Sequence, residues 1–226
     1  MSTLQKEITI VGFGNSITEA STAMPDISKR WLNILEQKLC EANPNINFNV
    51  INSGRGGDSD REKMRRFQKD VLEHTPDYLL IEFGGNNSGI VNPKRRVSLE
   101  ESAGYLKQIR EEISASTKIV VITFPALIDE RCKKARPEVM KKYVAQLGQP
   151  DANLELYREL TRDYAREHGY PLVDLSLEMR KESNPEQYVL TDGVHLNEAG
   201  NRLLADITFK TLNHIISSTS DTDASR

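Results

Sequence analysis

Three short apolar runs in this chain break off into glycine and asparagine, and each break is followed by a segment with helical spacing. Residues 8–13 end in Gly14-Asn15-Ser16. Residues 46–52, which alternate apolar and polar, run into Ser53-Gly54-Arg55-Gly56-Gly57-Asp58-Ser59, and residues 78–83 open into Gly84-Gly85-Asn86-Asn87-Ser88-Gly89. Two more apolar runs, 118–124 and the short 172–175, bring the strand-like segments to five. Strands that alternate with helices read as βαβ crossovers, which build a parallel sheet with helices on both faces: an α/β fold. Such a sheet places its ligand crevice at the carboxyl ends of the strands, so the glycine- and asparagine-rich breaks gather along one edge.

The intervening segments carry their own signals. Trp31, Ile34, Leu35 and Leu39 recur at helical spacing within 28–40. Asp58 or Ser59 can cap a helix whose inner face is Met64, Phe67 and Val71, while Arg61, Lys63, Arg65, Arg66 and Lys69 read as a solvated basic stripe diluted by Glu62, Asp70 and Glu73. Ser98 with Glu101 has the form of a capping box. Residues 126–150 are expected to form a loop plus a short helix over the crevice. A long helix follows from 151 to 168, closed by Gly169 with Pro171 just beyond. A helical turn is expected at 177–181, and Asn197 caps a last helix with Leu203, Leu204, Ile207 and Leu212 inside. Residues 1–216 are read as one domain, and the polar stretch 217–226 as a frayed tail.

Composition excludes several classes. A formal net charge of -3 with interspersed signs gives no footprint for nucleic acid. No apolar segment is long enough for stable insertion in a membrane, and the run at 8–13 is too short for a secretory leader, so a cytoplasmic location is expected. Cys40 and Cys132 are too far apart to suggest a disulfide framework or a metal site, and no metal or other cofactor is expected. A small-molecule substrate remains the expected partner, with a homo-oligomer left open.

Ser16 at a strand end can be a nucleophile, but Gly-Asn-Ser is also ordinary turn chemistry, and only partners elsewhere decide between the two. His195 lies three residues after Asp192 in Thr191-Asp192-Gly193-Val194-His195, a spacing that lets the carboxylate hold one ring nitrogen and leave the other free for Ser16. His74, His168 and His214 lie near helix ends or on a terminal helix face and lack this setting. Gly57 and Asn86 can offer hydrogen-bond donors to a developing oxyanion, one through a backbone N–H unobstructed by a Cβ, the other through a neutral amide. Asn15, Ile17, Asn87, Leu127, Ile128 and Val194 are candidate substrate contacts, with Ile17, Leu127 and Ile128 able to line an acyl slot.

Four segments taken in order, Gly14-Asn15-Ser16, Asn52-x-Gly54-x-x-Gly57-Asp58-Ser59, Gly84-Gly85-Asn86-Asn87 and Asp192-Gly193-Val194-His195, resemble the blocks of the SGNH hydrolases, the GDSL-type esterases and lipases. The resemblance implies a flavodoxin-like three-layer α/β/α sandwich with a five-stranded parallel sheet in the order 2-1-3-4-5. It implies Ser16 as nucleophile, His195 as base and Asp192 as its orienting partner. It also implies an oxyanion hole built from the Ser16 N–H, the Gly57 N–H and the Asn86 amide. The activity expected is carboxylic ester hydrolysis through an acyl-enzyme, on short-acyl soluble esters such as acetylated carbohydrates. A lysophospholipase or thioesterase, an acyltransferase, and a non-catalytic binder of acylated ligands stay open as alternatives. The chain departs from the family in carrying Asn15 and Asn87 where aspartate is usual. Asparagine keeps the shape and an acceptor oxygen, so an aspartate at 15 is expected to leave an active enzyme.

Overall fold

The computed structural model describes residues 6–89, 93–181 and 183–223. Five strands, β1 (Lys6–Gly14), β2 (Ile46–Gly54), β3 (Tyr78–Glu82), β4 (Lys118–Ile122) and β5 (Leu172–Val173), form one parallel sheet in the order β2-β1-β3-β4-β5. Alternate residues of the central strands serve opposite faces, as the pleat requires. Ile8, Ile10, Leu80 and Ile122 belong to one core, and Val11, Phe13, Leu79, Ile81 and Val121 to the other.

Ten helices accompany the strands in the described residues: α1 (Ser16–Glu19), α2 (Trp31–Ala42), α3 (Asp60–Arg65), α4 (Phe67–Asp70), α5 (Leu99–Glu112), α6 (Asp129–Ala135), α7 (Pro137–Leu147), α8 (Pro150–His168), α9 (Leu175–Lys181) and α10 (Glu198–Asp223). Trp31, Leu35 and Leu39 of α2 and Leu204 and Leu212 of α10 cover the first face. Phe67, Leu106, Ile109, Tyr164 and Ala165, from α4, α5 and α8, cover the second. Helices therefore flank the sheet on both sides, the three-layer arrangement that the alternation of elements requires.

Local signals account for most boundaries. The Glu62 carboxylate accepts from the Ser59 N–H at 2.8 Å and starts α3; the Ser98 hydroxyl accepts from the Glu101 N–H at 3.1 Å and starts α5. The Asn197 side chain accepts from the Gly200 N–H at 3.0 Å at the head of α10. Gly169 ends α8 at φ 66°, a left-handed cap that glycine adopts without a Cβ penalty.

Three expectations change. Residues 126–150 form two helices, α6 and α7, rather than a loop with one. The polar stretch from 217 is not frayed throughout, since α10 carries on to Asp223, leaving only 224–226 of that expectation outside the described residues. The basic stripe is not solvated as a whole: Lys63 is 0 % exposed and Arg66 8 %, because Lys63 turns inward onto Asp60 and the Glu82 carbonyl, and Arg66 onto Asp58 and the Gly14 and Ser53 carbonyls.

Candidate active site

Ser16 stands where β1 gives way to α1, half-buried at the carboxyl edge of the sheet. The turn is shaped by Asn15, whose Oδ1 accepts the Ile17 N–H at 3.0 Å and caps α1. Close approach requires glycine before it: a Cβ on Gly14 would lie 2.0 Å from Thr18 Oγ1 and 2.7 Å from Glu82 Oε2. Across the crevice, the Ser16 hydroxyl lies 3.0 Å from His195 Nε2, and His195 Nδ1 lies 2.5 Å from Asp192 Oδ2.

Asp192 is itself held in place. Its Oδ1 accepts the N–H groups of Val194 at 2.9 Å and His195 at 3.0 Å, which leaves Oδ2 for the ring. Desolvation pushes this carboxyl up, but the His195 ring and the two backbone donors outweigh it and bring it down to about 2. A carboxylate ionised at neutral pH beside Nδ1 favours the tautomer with the proton on Nδ1, so that Nε2 can accept from Ser16. Such a chain can remove a proton from a hydroxyl and return it to a leaving group.

Of the three donors expected for an oxyanion, one is the Ser16 N–H itself and the other two come from neighbouring turns. Gly57 adopts φ 79°, and its carbonyl accepts from Arg95 at 2.5 Å. A Cβ on the adjacent Gly56 would lie 3.9 Å from Ser16 Cβ, which sets this turn against the Ser16 side chain. Asn86 lines the same cavity as Ser16, and its Nδ2 donates to the Asp58 carbonyl at 3.1 Å, joining the second and third glycine-rich turns. An amide nitrogen carries two hydrogens, so one remains for a ligand.

With this geometry in view, comparison with known proteins is informative. A family model, the GDSL-like Lipase/Acylhydrolase family, matches residues 13–203. The chain is 32% identical over 176 residues to an uncharacterized lipoprotein, YqeF, of Bacillus subtilis, an alignment covering 73% of this chain and 69% of the relative. It is 26% identical to the isoamyl acetate-hydrolyzing esterase 1 homolog of Mus musculus, over 85% of this chain and 76% of that protein. An acetylxylan esterase from Geobacillus stearothermophilus superimposes with a TM-score of 0.71 at 19% identity, covering 92% of this chain and 96% of the other. The chain belongs to the GDSL-like lipase/acylhydrolase family.

This GDSL-family member is a carboxylic ester hydrolase. Beside Ser16 and His195 lies a cavity of about 190 Å³ whose walls include Phe124, Leu127, Val139, Met140, Tyr143 and Val194. Cys132 also lines it; burial pushes that thiol up to about 11, with Asp129 and Asp192 adding to the shift, so it stays protonated and packs as a small apolar group. The wall is anchored from behind. Fully buried Arg158 donates to the carbonyls of Phe124 at 3.0 Å and Pro125 at 2.5 Å and pairs with Asp151, whose Oδ1 also accepts the Leu127 N–H at 2.7 Å. Among the described residues, no group of three or more His, Cys, Asp or Glu side chains could hold a metal ion. No helix among them is long and apolar enough to cross a membrane.

Of the expected substrate contacts, Leu127 and Val194 face the cavity and four do not. Asn15 and Asn87 are 0 % exposed: the first caps α1, and the second is locked to Asp60, donating to Oδ2 at 2.6 Å and accepting the Asp60 N–H at 3.0 Å. Ile17, 3 % exposed, points into the core beside Trp31, whose indole N–H donates to the Ile17 carbonyl at 3.1 Å. Ile128 uses its N–H on the Gly193 carbonyl at 2.9 Å and so braces α6 against the loop that carries His195.

Sequence reasoning missed the polar support under the site. Lys63 Nζ donates to Asp60 Oδ1 at 3.0 Å and to the Glu82 carbonyl at 2.8 Å, and lies 4.5 Å from the centre of the Phe83 ring. Arg66 pairs with Asp58 at 2.7 Å and donates to the Gly14 carbonyl at 2.8 Å and the Ser53 carbonyl at 2.7 Å, tying β1, β2 and the second turn together. One signal was present: Glu82 is the single charged residue in an otherwise apolar strand, and a buried charge needs partners.

Proposed function

We propose that the protein hydrolyses short-acyl, soluble esters through an acyl-enzyme on Ser16. The observation that carries this reading is the unbroken chain Ser16–His195–Asp192, at 3.0 and 2.5 Å, opening onto a cavity whose wall mixes apolar side chains with Asn86, Ser88 and Arg136. His195 Nε2 takes the hydroxyl proton as Ser16 Oγ bonds to the ester carbonyl carbon. The negative charge that develops on the carbonyl oxygen is met by the Ser16 and Gly57 N–H groups and the Asn86 amide. Collapse of this intermediate breaks the bond to the alcohol oxygen, which receives the proton from His195, and leaves the acyl group on Ser16. A water molecule then gives its proton to His195, attacks the acyl carbon, and releases the carboxylic acid as Ser16 regains its proton.

Cavity size supports the short acyl group. About 190 Å³ is little more than the roughly 150 Å³ that accommodates a benzene molecule, so the space beside Ser16 matches a short acyl group. The names of two of the relatives, an isoamyl acetate-hydrolyzing esterase homolog and an acetylxylan esterase, point the same way, toward acetyl esters.

A panel of nitrophenyl esters from acetate to palmitate, with Ser16→Ala as the blank, tests the reading. Turnover is expected to be greatest for the short acyl groups, to decline toward palmitate, and to vanish in Ser16→Ala. Unchanged activity in Ser16→Ala sinks the mechanism, and a palmitate optimum sinks the substrate class. Fluorophosphonate labelling completes the test: a folded protein with no adduct on Ser16 refutes the acyl-enzyme on that residue.

A further inference from the structure

Beneath the nucleophile turn lies a carboxylate that no step of the reaction uses. Glu82 ends β3 with 2 % of its surface exposed. Its Oε1 accepts from Asn15 Nδ2 at 2.8 Å, and its Oε2 accepts from the Asn15 N–H at 3.2 Å and the Thr18 hydroxyl at 3.3 Å. Asn15 passes this constraint upward, because the same side chain holds the Ile17 N–H through Oδ1 and so fixes the first turn of α1, where Ser16 sits. With Nδ2 on a carboxylate and Oδ1 on an N–H, the amide has one satisfiable orientation.

We propose that Glu82 is a positioning residue for Ser16, acting through Asn15, and that Glu82 is the reason asparagine is the working residue at position 15. All three groups directed at the Glu82 carboxylate are donors, the arrangement that an ionised carboxylate satisfies. The other charged groups packed against it come from α3: Lys63, whose ammonium donates to the Glu82 backbone carbonyl, and Asp60, paired to Lys63. Burial raises the Glu82 carboxyl, with the Lys63 charge and the Asn15 N–H opposing and Asp60 adding to the rise.

An aspartate at 15 would replace the amide donor with a second carboxyl 2.8 Å from the first. Two carboxylates at that separation cannot both ionise in a buried site, so one proton must be shared between them. The turn then keeps its shape while that proton is held and loses it as pH rises. This makes the expectation that Asn15→Asp leaves an active enzyme conditional on pH.

The inference rests on Ser16 being the nucleophile, and the test separates the two. Nitrophenyl acetate turnover is measured for the native protein, Asn15→Asp, Glu82→Gln, the double variant and Ser16→Ala from about pH 6 to about pH 9, with active sites counted by fluorophosphonate labelling. Glu82→Gln is expected to lower kcat about tenfold with KM unchanged, since it loosens the nucleophile and touches no substrate. For Asn15→Asp, kcat/KM relative to the native protein is expected to fall with rising pH, reaching about a 100-fold loss at the alkaline end. The double variant restores a donor–acceptor pair with its polarity reversed, and is expected to return to within about threefold of native with no pH trend in the ratio.

A flat Asn15→Asp ratio, a double variant no better than Asn15→Asp, or a Glu82→Gln variant with native kcat overturns the proposal. Should Asn15→Asp fail to fold, the other two variants decide: a folded, active double variant supports the pairing, and native kcat in Glu82→Gln refutes it. Turnover that survives in Ser16→Ala refutes the reading of the site itself, whereas a blank Ser16→Ala with a flat Asn15→Asp ratio refutes only the role of Glu82.

Discussion

Replacing Asp192 by asparagine leaves the side chain the same size and reverses the hydrogen bonding at one of its two positions. The N–H groups of Val194 and His195, at 2.9 and 3.0 Å, require an oxygen at the Oδ1 position. Asparagine must therefore place its NH2 group where Oδ2 now faces His195 Nδ1 at 2.5 Å. An amide N–H there forces Nδ1 to accept, which moves the ring proton to Nε2, the atom 3.0 Å from the Ser16 hydroxyl. Nε2 then donates and cannot act as the base. In serine hydrolases of other folds, enforcing this wrong tautomer costs about 10⁴ in kcat, equivalent to about 5.4 kcal/mol of transition-state stabilisation. Steady-state kinetics on nitrophenyl acetate at mildly alkaline pH give kcat, and a denaturation curve reports that Asp192→Asn is folded. A folded Asp192→Asn with kcat within about tenfold of native would refute the assignment of Asp192 as the group that sets the His195 tautomer.

Further outcomes are expected from the same structure. Asn86→Ala should lower kcat by about 100-fold or more with little change in KM, the usual effect of losing one oxyanion donor, worth about 2.7–4 kcal/mol; native kcat in steady-state assays would remove Asn86 from that role. Lys63→Ala should destabilise the fold by about 3–5 kcal/mol, because it leaves Asp60 charged, buried and without its cation; urea denaturation showing a loss below about 1 kcal/mol would contradict this. The Asp192 carboxyl is depressed from 3.8 to about 2 in the folded state, so it contributes stability that is complete above the unfolded value and is lost as pH falls through the folded one. Allowing for solvent screening, that is roughly 1–2 kcal/mol between about pH 4 and pH 2, and Asp192→Ala should show a flatter acid limb in thermal melts.

Much of this protein was legible in the order of its residues. Apolar runs that stop in glycine and asparagine, alternating with helical segments, led to a parallel sheet because few connections satisfy such a pattern. Ser16, Asp192 and His195 could be named from short motifs because strand ends and a tight i, i+3 spacing are local properties, and the structure brings these three together. Of the six residues proposed as substrate contacts, Leu127 and Val194 line the cavity, whereas Asn15, Ile17, Asn87 and Ile128 do not.

What sequence could not show was which polar groups turn inward. Lys63 and Arg66 looked like members of a solvated stripe, because burial depends on what packs against a side chain from distant parts of the chain. Asn15, Ile17 and Asn87 adjoin Ser16 or Asn86 yet do not line the cavity, since consecutive positions in a tight turn point in different directions. The two helices over 129–147 take their place from contacts with each other, with α8 and with the His195 loop, and so the size of the cavity was decided only when these met. Local sequence determined the fold class and named Ser16, Asp192 and His195; the tertiary structure decided the support beneath Ser16 and the room beside it, because both are made of residues brought together only by the sheet.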